Sequence, residues 1–318
     1  MNKTNTFEEL LEWKKRYFDE LKLKSSSENT FKTYQRALDE FFSFLGSELG
    51  ENGLNELKWE DFNKFLFNAF LQSLKNRLNE KSVNLYMRIV KNFLKYIAEH
   101  NEEGIDPYYK IENVKPLKEP VEEITVFEED ELEKLDRTLF KLLNKTKEYS
   151  KYKNLLCILF IRYTGMRANE CLSLQIKNIN IQEDGIKLLV TGKGNKQRVL
   201  YLDTAFLPYI KKMLDLRKKH HIKSSFFFAT KNNKKSTIQG LYRANKKLLK
   251  EAGIKDKNKI GLHTYRHTFA SLLVAEDVNM ETIKEILGHS NITTTSRYYA
   301  RTNEKAKKKS MLKIQKKR

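Results

Sequence analysis

Apolar residues recur at three- and four-residue intervals through most of the chain, the spacing that gathers them on one face of an α-helix. In the first hundred residues the pattern predicts four helices. They are FEELLEWKKRYFDELKL (7–23), TFKTYQRALDEFFSFLG (30–46) with Gly46 as its stop, LKWEDFNKFLFNAFLQSLKNRL (57–78) and SVNLYMRIVKNFLKYIAEH (82–100). The last pairs an apolar stripe (Val83, Met87, Val90, Phe93, Leu94, Ile97) with Arg88, Lys91 and Lys95 on other faces. That suits a helix packed on one side and facing phosphate on the other; a merely soluble face has the same pattern. The stretch IDPYYKIENVKPLKEPVEEI (105–124) holds three of the four prolines. Proline confines itself and its predecessor to extended conformations, so this is predicted to be a linker between a helical domain at 1–104 and a second domain at 125–318.

The second domain opens with helical patterns at about 127–145 and 150–164. INIQEDGIKLLVTGKGNKQRVLYL (179–202) then breaks the period, with tight turns marked by Asp184-Gly185 and Gly192-Lys193-Gly194-Asn195. Between and after the turns run IKLLVT and QRVLYL, which predicts a small antiparallel meander of three strands. Helical patterns return at 204–219, 236–253, 264–276 and 279–287 and in the tail, with SFFFAT (225–230) as a further short strand. The expected fold is mainly α: a four-helix N-terminal domain followed by an α+β domain.

Composition agrees with a helical chain, since 318 residues contain only 4 prolines and 12 glycines. No apolar run approaches the ~20 residues that span a membrane, and the N-terminus MNKTNTFEELLEW lacks a signal-peptide core. Cys157 and Cys171 have no CxxC spacing and lie in apolar helical surroundings, which points to reduced structural residues of a cytoplasmic protein, without a zinc site. The net charge is +20 and is unevenly placed. Residues 1–118 are neutral, with 19 basic against 19 acidic, while residues 119–318 hold 42 basic against 22 acidic. The tail from Arg301 alone carries 9 basic residues and 1 acidic. An anionic partner such as nucleic acid follows from that asymmetry; a solvated lysine surface is the plain alternative.

Four stretches carry candidate chemistry. In YTGMRANECLSL (163–174), Glu170 lies one helical turn after Arg167, where a carboxylate can hold a guanidinium still, or form an ordinary surface pair. In VTGKGNKQRV (190–199) the turn presents Lys193 between glycines; the Walker spacing is absent, so a nucleotide site is not expected. In GLHTYRHTFASLL (261–273), His263 and Arg266 share a helix face, an unfavourable pairing unless an anion sits between them, while His267 is expected to point elsewhere. A metal site is not expected, for there is no HExxH and no acidic partner. In LGHSNITTTSRYYA (287–300), Gly288 ends a helix and His289 precedes Tyr298 by nine residues. On one continuous helix that interval places the two on opposite sides, so the bend at Gly288 and Ser290-Asn291 is what would let both face one site. A helix-turn-helix with a core tyrosine has the same outline.

TGMR, GKGNKQR, HTYRH and LGH with a tyrosine nine residues later resemble, in order and spacing, the tyrosine recombinase (phage integrase) family, closest in layout to its Xer-type members. SSSENTFKTYQRALDEFFSFL resembles the start of that family's SAM-like core-binding domain. The resemblance implies a catalytic set of Arg167, Lys193, His263, Arg266, His289 and Tyr298, with Glu170 in support. Two arginines would clamp the scissile phosphate, Tyr298 would attack it, His263 would be the base, and Lys193 would protonate the departing 5′-oxygen. A 3′-phosphotyrosyl link stores the bond energy, so neither cofactor nor metal is required. Tyr265 stands where the family often has leucine, and Tyr299 follows the nucleophile.

The resemblance further implies a double-stranded DNA recombination site, a homotetramer on two such sites, and a possible activator of the FtsK-like DNA translocase kind. The short apolar patch Met311, Leu312 and Ile314 in the tail would dock on a neighbouring subunit. The chain is expected to have no room for a further arm-binding domain, which favours a simple Xer-like role, with chromosome or plasmid dimer resolution expected first and a phage or transposon integrase of the same chemistry as the alternative. A non-enzymatic helix-turn-helix regulator and a type IB topoisomerase are the remaining alternatives. The regulator has no use for two spaced arginines, a hairpin lysine and Tyr298 together, and the recombinase-like N-terminal domain counts against the topoisomerase.

Overall fold

The computed structural model describes residues 5–24, 28–120 and 124–288. The chain forms two compact units, Met1–Glu122 and Glu123–Arg318.

Four helices build the first unit: α1 (Thr6–Leu23), α2 (Glu28–Glu56), α3 (Lys64–Lys75) and α4 (Glu80–His100). Asn5, Asn63 and Asn79 cap α1, α3 and α4 by accepting backbone N–H bonds in the first turn, and each therefore sets where its helix begins. The expected stop at Gly46 does not occur. The apolar stripe of α2 (Phe41, Phe42, Phe44, Leu45) continues at Leu49, which also packs on the core, and this packing outweighs the roughly 1 kcal/mol a mid-helix glycine costs. The break comes at Gly50, whose φ of 66° takes it out of the helical region. The third helix is shorter than predicted because Trp59–Asp61 forms a separate 3-10 turn before the Asn63 cap. Phe41 lies at the centre of the core, with its ring 5.0 Å from that of Phe70 and 6.4 Å from that of Phe67.

Much of the proline-rich stretch packs on this unit. Ile111 is fully buried in the core, and Asn84 on α4 exchanges two hydrogen bonds with the Leu117 backbone, at 2.8 and 3.0 Å. Of the three basic residues on α4, Lys91 faces neither phosphate nor open solvent but donates to the Glu112 and Val114 carbonyls at 3.0 and 2.7 Å, while Arg88 and Lys95 are exposed.

In the second unit α5 (Glu129–Lys145) is followed by α6 (Tyr149–Thr164), whose central run 155–161 is apolar on every side and buried. A short α7 (Ala168–Leu172) leads to strands β1 (Ile179–Ile181), β2 (Ile186–Thr191) and β3 (Gln197–Leu202), an antiparallel sheet in the order β1-β2-β3. Ile186, Leu188 and Val190 face inward opposite Leu202, Leu200 and Arg198. Then come α8 (Leu207–Lys219), α9 (Ile238–Glu251), α10 (His263–Ala275) and α11 (Met280–Leu287).

The stretch SFFFAT is not a strand. Phe227 and Phe228 are both fully buried, so the alternation a strand needs is absent, and only isolated bridges form at Phe226 and Ala229. Buried Arg217 holds the segment by donating to the carbonyls of Ser224, Phe226 and Phe227. Cys157 and Cys171, distant in sequence, bring their Sγ atoms to 3.1 Å inside the core. Among the described residues no group of His, Cys, Asp and Glu could hold a metal ion, and no helix is long and apolar enough to cross a membrane.

Candidate active site

The site begins at Gly165. Helix α6 ends there in left-handed geometry (φ 63°), and a Cβ on Gly165 would lie 2.3 Å from the Phe269 ring and 3.1 Å from Leu287. Only glycine meets both demands, and this close approach brings the ends of α6 and α11 against α10. The Gly165 carbonyl accepts a bond from Arg266 Nη1 at 2.8 Å. Two residues later Arg167 starts α7, where its backbone N–H donates to Glu170 Oε2 at 2.8 Å and its Nη1 to Oε1 at 2.8 Å. The TGMR and HTYRH stretches therefore meet at a glycine that neither helical period announces.

Glu170 is held from the other side by Arg198 on β3, whose Nη2 and Nη1 donate to Oε2 and Oε1 at 2.7 and 3.1 Å. Burial pushes the Glu170 carboxyl up, but the bonds from Arg198 and Arg167 outweigh it and hold it below the ordinary carboxylate range. It is therefore ionised at neutral pH. Gly192, the first glycine of GKG, lies over this pair: a Cβ there would come within 3.2 Å of Glu170 Oε1. The residues that follow, Lys193–Asn195, form a 3-10 turn at the β2–β3 hairpin.

Three arginines take the carbonyls at the end of α11. Arg198 Nε donates to Ile286 at 2.7 Å, Arg266 Nη2 to Leu287 at 2.6 Å and Arg167 Nη2 to Gly288 at 3.2 Å. The last carbonyls of a helix lack intrahelical partners and sit at the negative end of its dipole, so cations belong there. Gly288 itself is left-handed (φ 65°), and a Cβ on it would meet Arg198 Nη1 at 2.9 Å.

His263 opens α10 at the surface. Lost hydration, then the positive charges of Arg266 and Arg167, push its pKa below the ordinary 6.5, so its ring is neutral and basic at pH 7. His267, expected to point elsewhere, lies on the same side, its ring centroid 6.3 Å from that of His263. Burial, then His263 and Arg266, push His267 down to about 4, which leaves it neutral. A shared face is what the i, i+4 interval dictates.

The structure thus brings Arg167, Glu170, Arg266 and His263 together and sets the backbone of Lys193 on the adjoining hairpin. Arg167 keeps 34% of its side chain exposed, whereas Arg266 is buried. His289 and Tyr298, with Tyr299 and the tail patch Met311, Leu312 and Ile314, lie outside the described residues; His289 directly follows Gly288 in sequence. Tyr265 is fully buried and donates to Asn245 Oδ1 at 2.5 Å, so its aromatic ring serves packing where leucine was the expected residue.

Arg198 was missed. Its signal was present in the alternation of β3, where Arg198 shares a strand face with buried Leu200 and Leu202, and a charge on an inward face requires a partner.

Comparison with known proteins places this geometry. The model of the phage integrase N-terminal SAM-like domain matches residues 15–101, and that of the phage integrase family matches residues 126–305. The tyrosine recombinase XerC of Staphylococcus haemolyticus is 29% identical over 284 residues, 89% of each chain. XerD of Listeria innocua is 27% identical, over 86% of this chain and 89% of its own. The fold is similar to that of the XerH site-specific recombinase bound to its difH substrate, with a TM-score of 0.75 at 24% identity over 92% of this chain and 83% of that one. It is also similar to a lambda integrase (75–356) dimer bound to a core site, with a TM-score of 0.65 at 16% identity over 90% of this chain and 94% of that one. With both of its units matched and more than half of its length inside the catalytic family model, the chain belongs to the phage integrase family, the tyrosine recombinases.

Proposed function

We propose that this chain is an Xer-like site-specific recombinase that cuts and rejoins DNA through a 3′-phosphotyrosyl link to Tyr298. The observation that carries the residue roles is the convergence of Arg167 and Arg266 on the carbonyls at the end of α11, one residue before His289, with His263 near enough for both charges to lower its pKa. A phosphodiester carries one negative charge and its pentavalent transition state carries more, so fixed guanidiniums stabilise the transition state beyond the ground state. Arg167, braced by Glu170, and Arg266 hold the non-bridging oxygens. The Tyr298 oxygen attacks phosphorus as the P–O5′ bond breaks. Tyrosine's ordinary pKa is about 10, so its proton must leave during attack. His263, neutral at pH 7, receives it, while Lys193 donates a proton to the 5′-oxygen and His289 supports the phosphate. Rejoining reverses these transfers with the 5′-hydroxyl of the partner strand, and the phosphotyrosyl bond supplies the energy.

The basic second domain supports duplex DNA as the partner, with affinity carried largely by phosphate contacts and therefore sensitive to salt. In this reading four copies act on two sites in the cytoplasm, and Met311, Leu312 and Ile314 dock on the neighbouring subunit. Resolution of chromosome or plasmid dimers, with a DNA translocase of the FtsK kind as activator, is the role the Xer relatives favour.

The test is covalent capture. Wild-type protein is incubated with a pool of nicked suicide duplexes randomised across the cleavage region, and SDS-resistant protein–DNA adducts are isolated. Wild type and Tyr299→Phe should trap DNA, and Tyr298→Phe should not. Adducts that persist in Tyr298→Phe would move the nucleophile elsewhere, and a wild type that traps nothing refutes the recombinase reading.

A further inference from the structure

The geometry points to Arg198 as a positioning residue for strand cleavage: through Glu170 it fixes the orientation of Arg167, and through the Ile286 carbonyl it fixes the end of α11 that leads into His289. This rests on the recombinase reading above, to which it adds a residue outside the set of groups that touch DNA.

Glu170 has two oxygens with room for about four hydrogen bonds. It receives four, two from Arg167 (backbone N–H and Nη1) and two from Arg198 (Nη1 and Nη2). The two-pronged contact with Arg198 sets the plane of the carboxylate, and that plane sets the Arg167 guanidinium. Without Arg198, half of the acceptor positions of a buried carboxylate empty, and Glu170 is free to turn. The side chains of Glu170 and Arg198 are only 5% and 12% exposed. Burying such a pair gives little stability over apolar residues of the same volume, so orientation is the contribution it makes best.

The surroundings are shaped for this guanidinium. Gly288 has its nearest neighbours in Arg198, with a would-be Cβ 2.9 Å from Nη1 and 3.2 Å from both Cδ and Cζ. Gly192, which precedes Lys193, has a would-be Cβ 3.5 Å from Nη1. Arg198 Nε meanwhile donates to Ile286 at 2.7 Å. One side chain therefore bonds the carboxylate that braces Arg167 and the Ile286 carbonyl, and fills the space that a Cβ on Gly192, just before Lys193, or on Gly288, just before His289, would need. A displacement of about 1 Å in such a site is enough to cost ~100-fold in rate.

The experiment measures single-turnover cleavage of a suicide duplex selected by covalent capture on the wild-type chain, beside equilibrium binding of the same duplex and calorimetric melting. Arg198→Ala should cleave ~100-fold more slowly while binding DNA within about threefold of wild type. Arg198→Lys, which keeps the charge but not the fork, should recover part of the rate. The double variant Glu170→Ala/Arg198→Ala should be no slower than Glu170→Ala alone, because the two act as one unit. Should Arg198→Ala lose its melting transition, Arg198→Lys decides the matter: a roughly tenfold slower cleavage with unchanged binding supports the assignment, and a wild-type rate overturns it. The assignment is also overturned if Arg198→Ala cleaves within threefold of wild type, or if the Glu170 and Arg198 losses multiply. If the wild-type chain itself forms no adduct, it is the recombinase reading that has failed.

Discussion

Replacing Gly165 by alanine separates two costs that the structure superimposes there. The residue is left-handed at φ 63°, and a Cβ would sit 2.3 Å from Phe269 Cδ1 and 3.1 Å from Leu287 Cδ2. Gly253, at the end of α9 in the same unit, has φ 77° with nothing within 4 Å of a would-be Cβ, so Gly253→Ala measures the backbone cost alone. Left-handed geometry costs an L-residue about 1–2 kcal/mol. Loss of unfolded-state freedom returns about 0.4–1 kcal/mol in both variants. Forcing a methyl group into the Phe269–Leu287 contact adds roughly 1–3 kcal/mol at Gly165 only. Gly165→Ala should therefore melt below Gly253→Ala by about 2–12 °C, taking 2–4 °C per kcal/mol for a domain of this size. Scanning calorimetry of the full chain reads this directly, because both substitutions lie in the second unit and move the same transition. Equal melting points for the two variants would mean that α6 does not approach α10 and α11 as closely as described, and the assembly of Arg266 on the Gly165 carbonyl would fall with it.

Two further outcomes follow from the side chains around the site. Under subsaturating DNA the cleavage rate reports the free protein, so its acid limb should fall below pH 6.5: His263, with its pKa lowered by lost hydration, Arg266 and Arg167, stays neutral until the pH drops through that lowered value. A midpoint above 6.5, or an unaltered limb in His263→Gln, would remove it as the base. Tyr265→Phe removes the hydroxyl that donates to Asn245 Oδ1 in a fully buried place and should cost about 1–3 kcal/mol, lowering the melting point by ~2–12 °C without altering DNA affinity.

The sequence reports local preference well and distant packing poorly. The apolar periods of α4 and α5, the apolar run of α6 and the β-type runs of β2 and β3 between their turns were legible because each signal lies within a few residues. Gly46 was misjudged as a stop because a glycine's intrinsic cost is small beside the burial of Phe41, Phe42 and Leu45, which depends on α4 and α3. SFFFAT looked like a strand by residue type, yet its backbone is tied by Arg217 near the end of α8.

The resemblance of four motifs, in order and spacing, to those of the tyrosine recombinases marked Arg167, Glu170, Lys193, His263 and Arg266. It also marked His289 and Tyr298, which lie beyond Gly288. Only the tertiary structure decided how these motifs are joined: Gly165 receiving Arg266, Arg198 filling the far side of Glu170, and three arginines sharing the carbonyls of residues 286–288. None of these contacts lies within one period of a helix or strand. A buried ion pair or a glycine-sized gap is set by which surfaces meet, and no local pattern along the chain encodes that meeting.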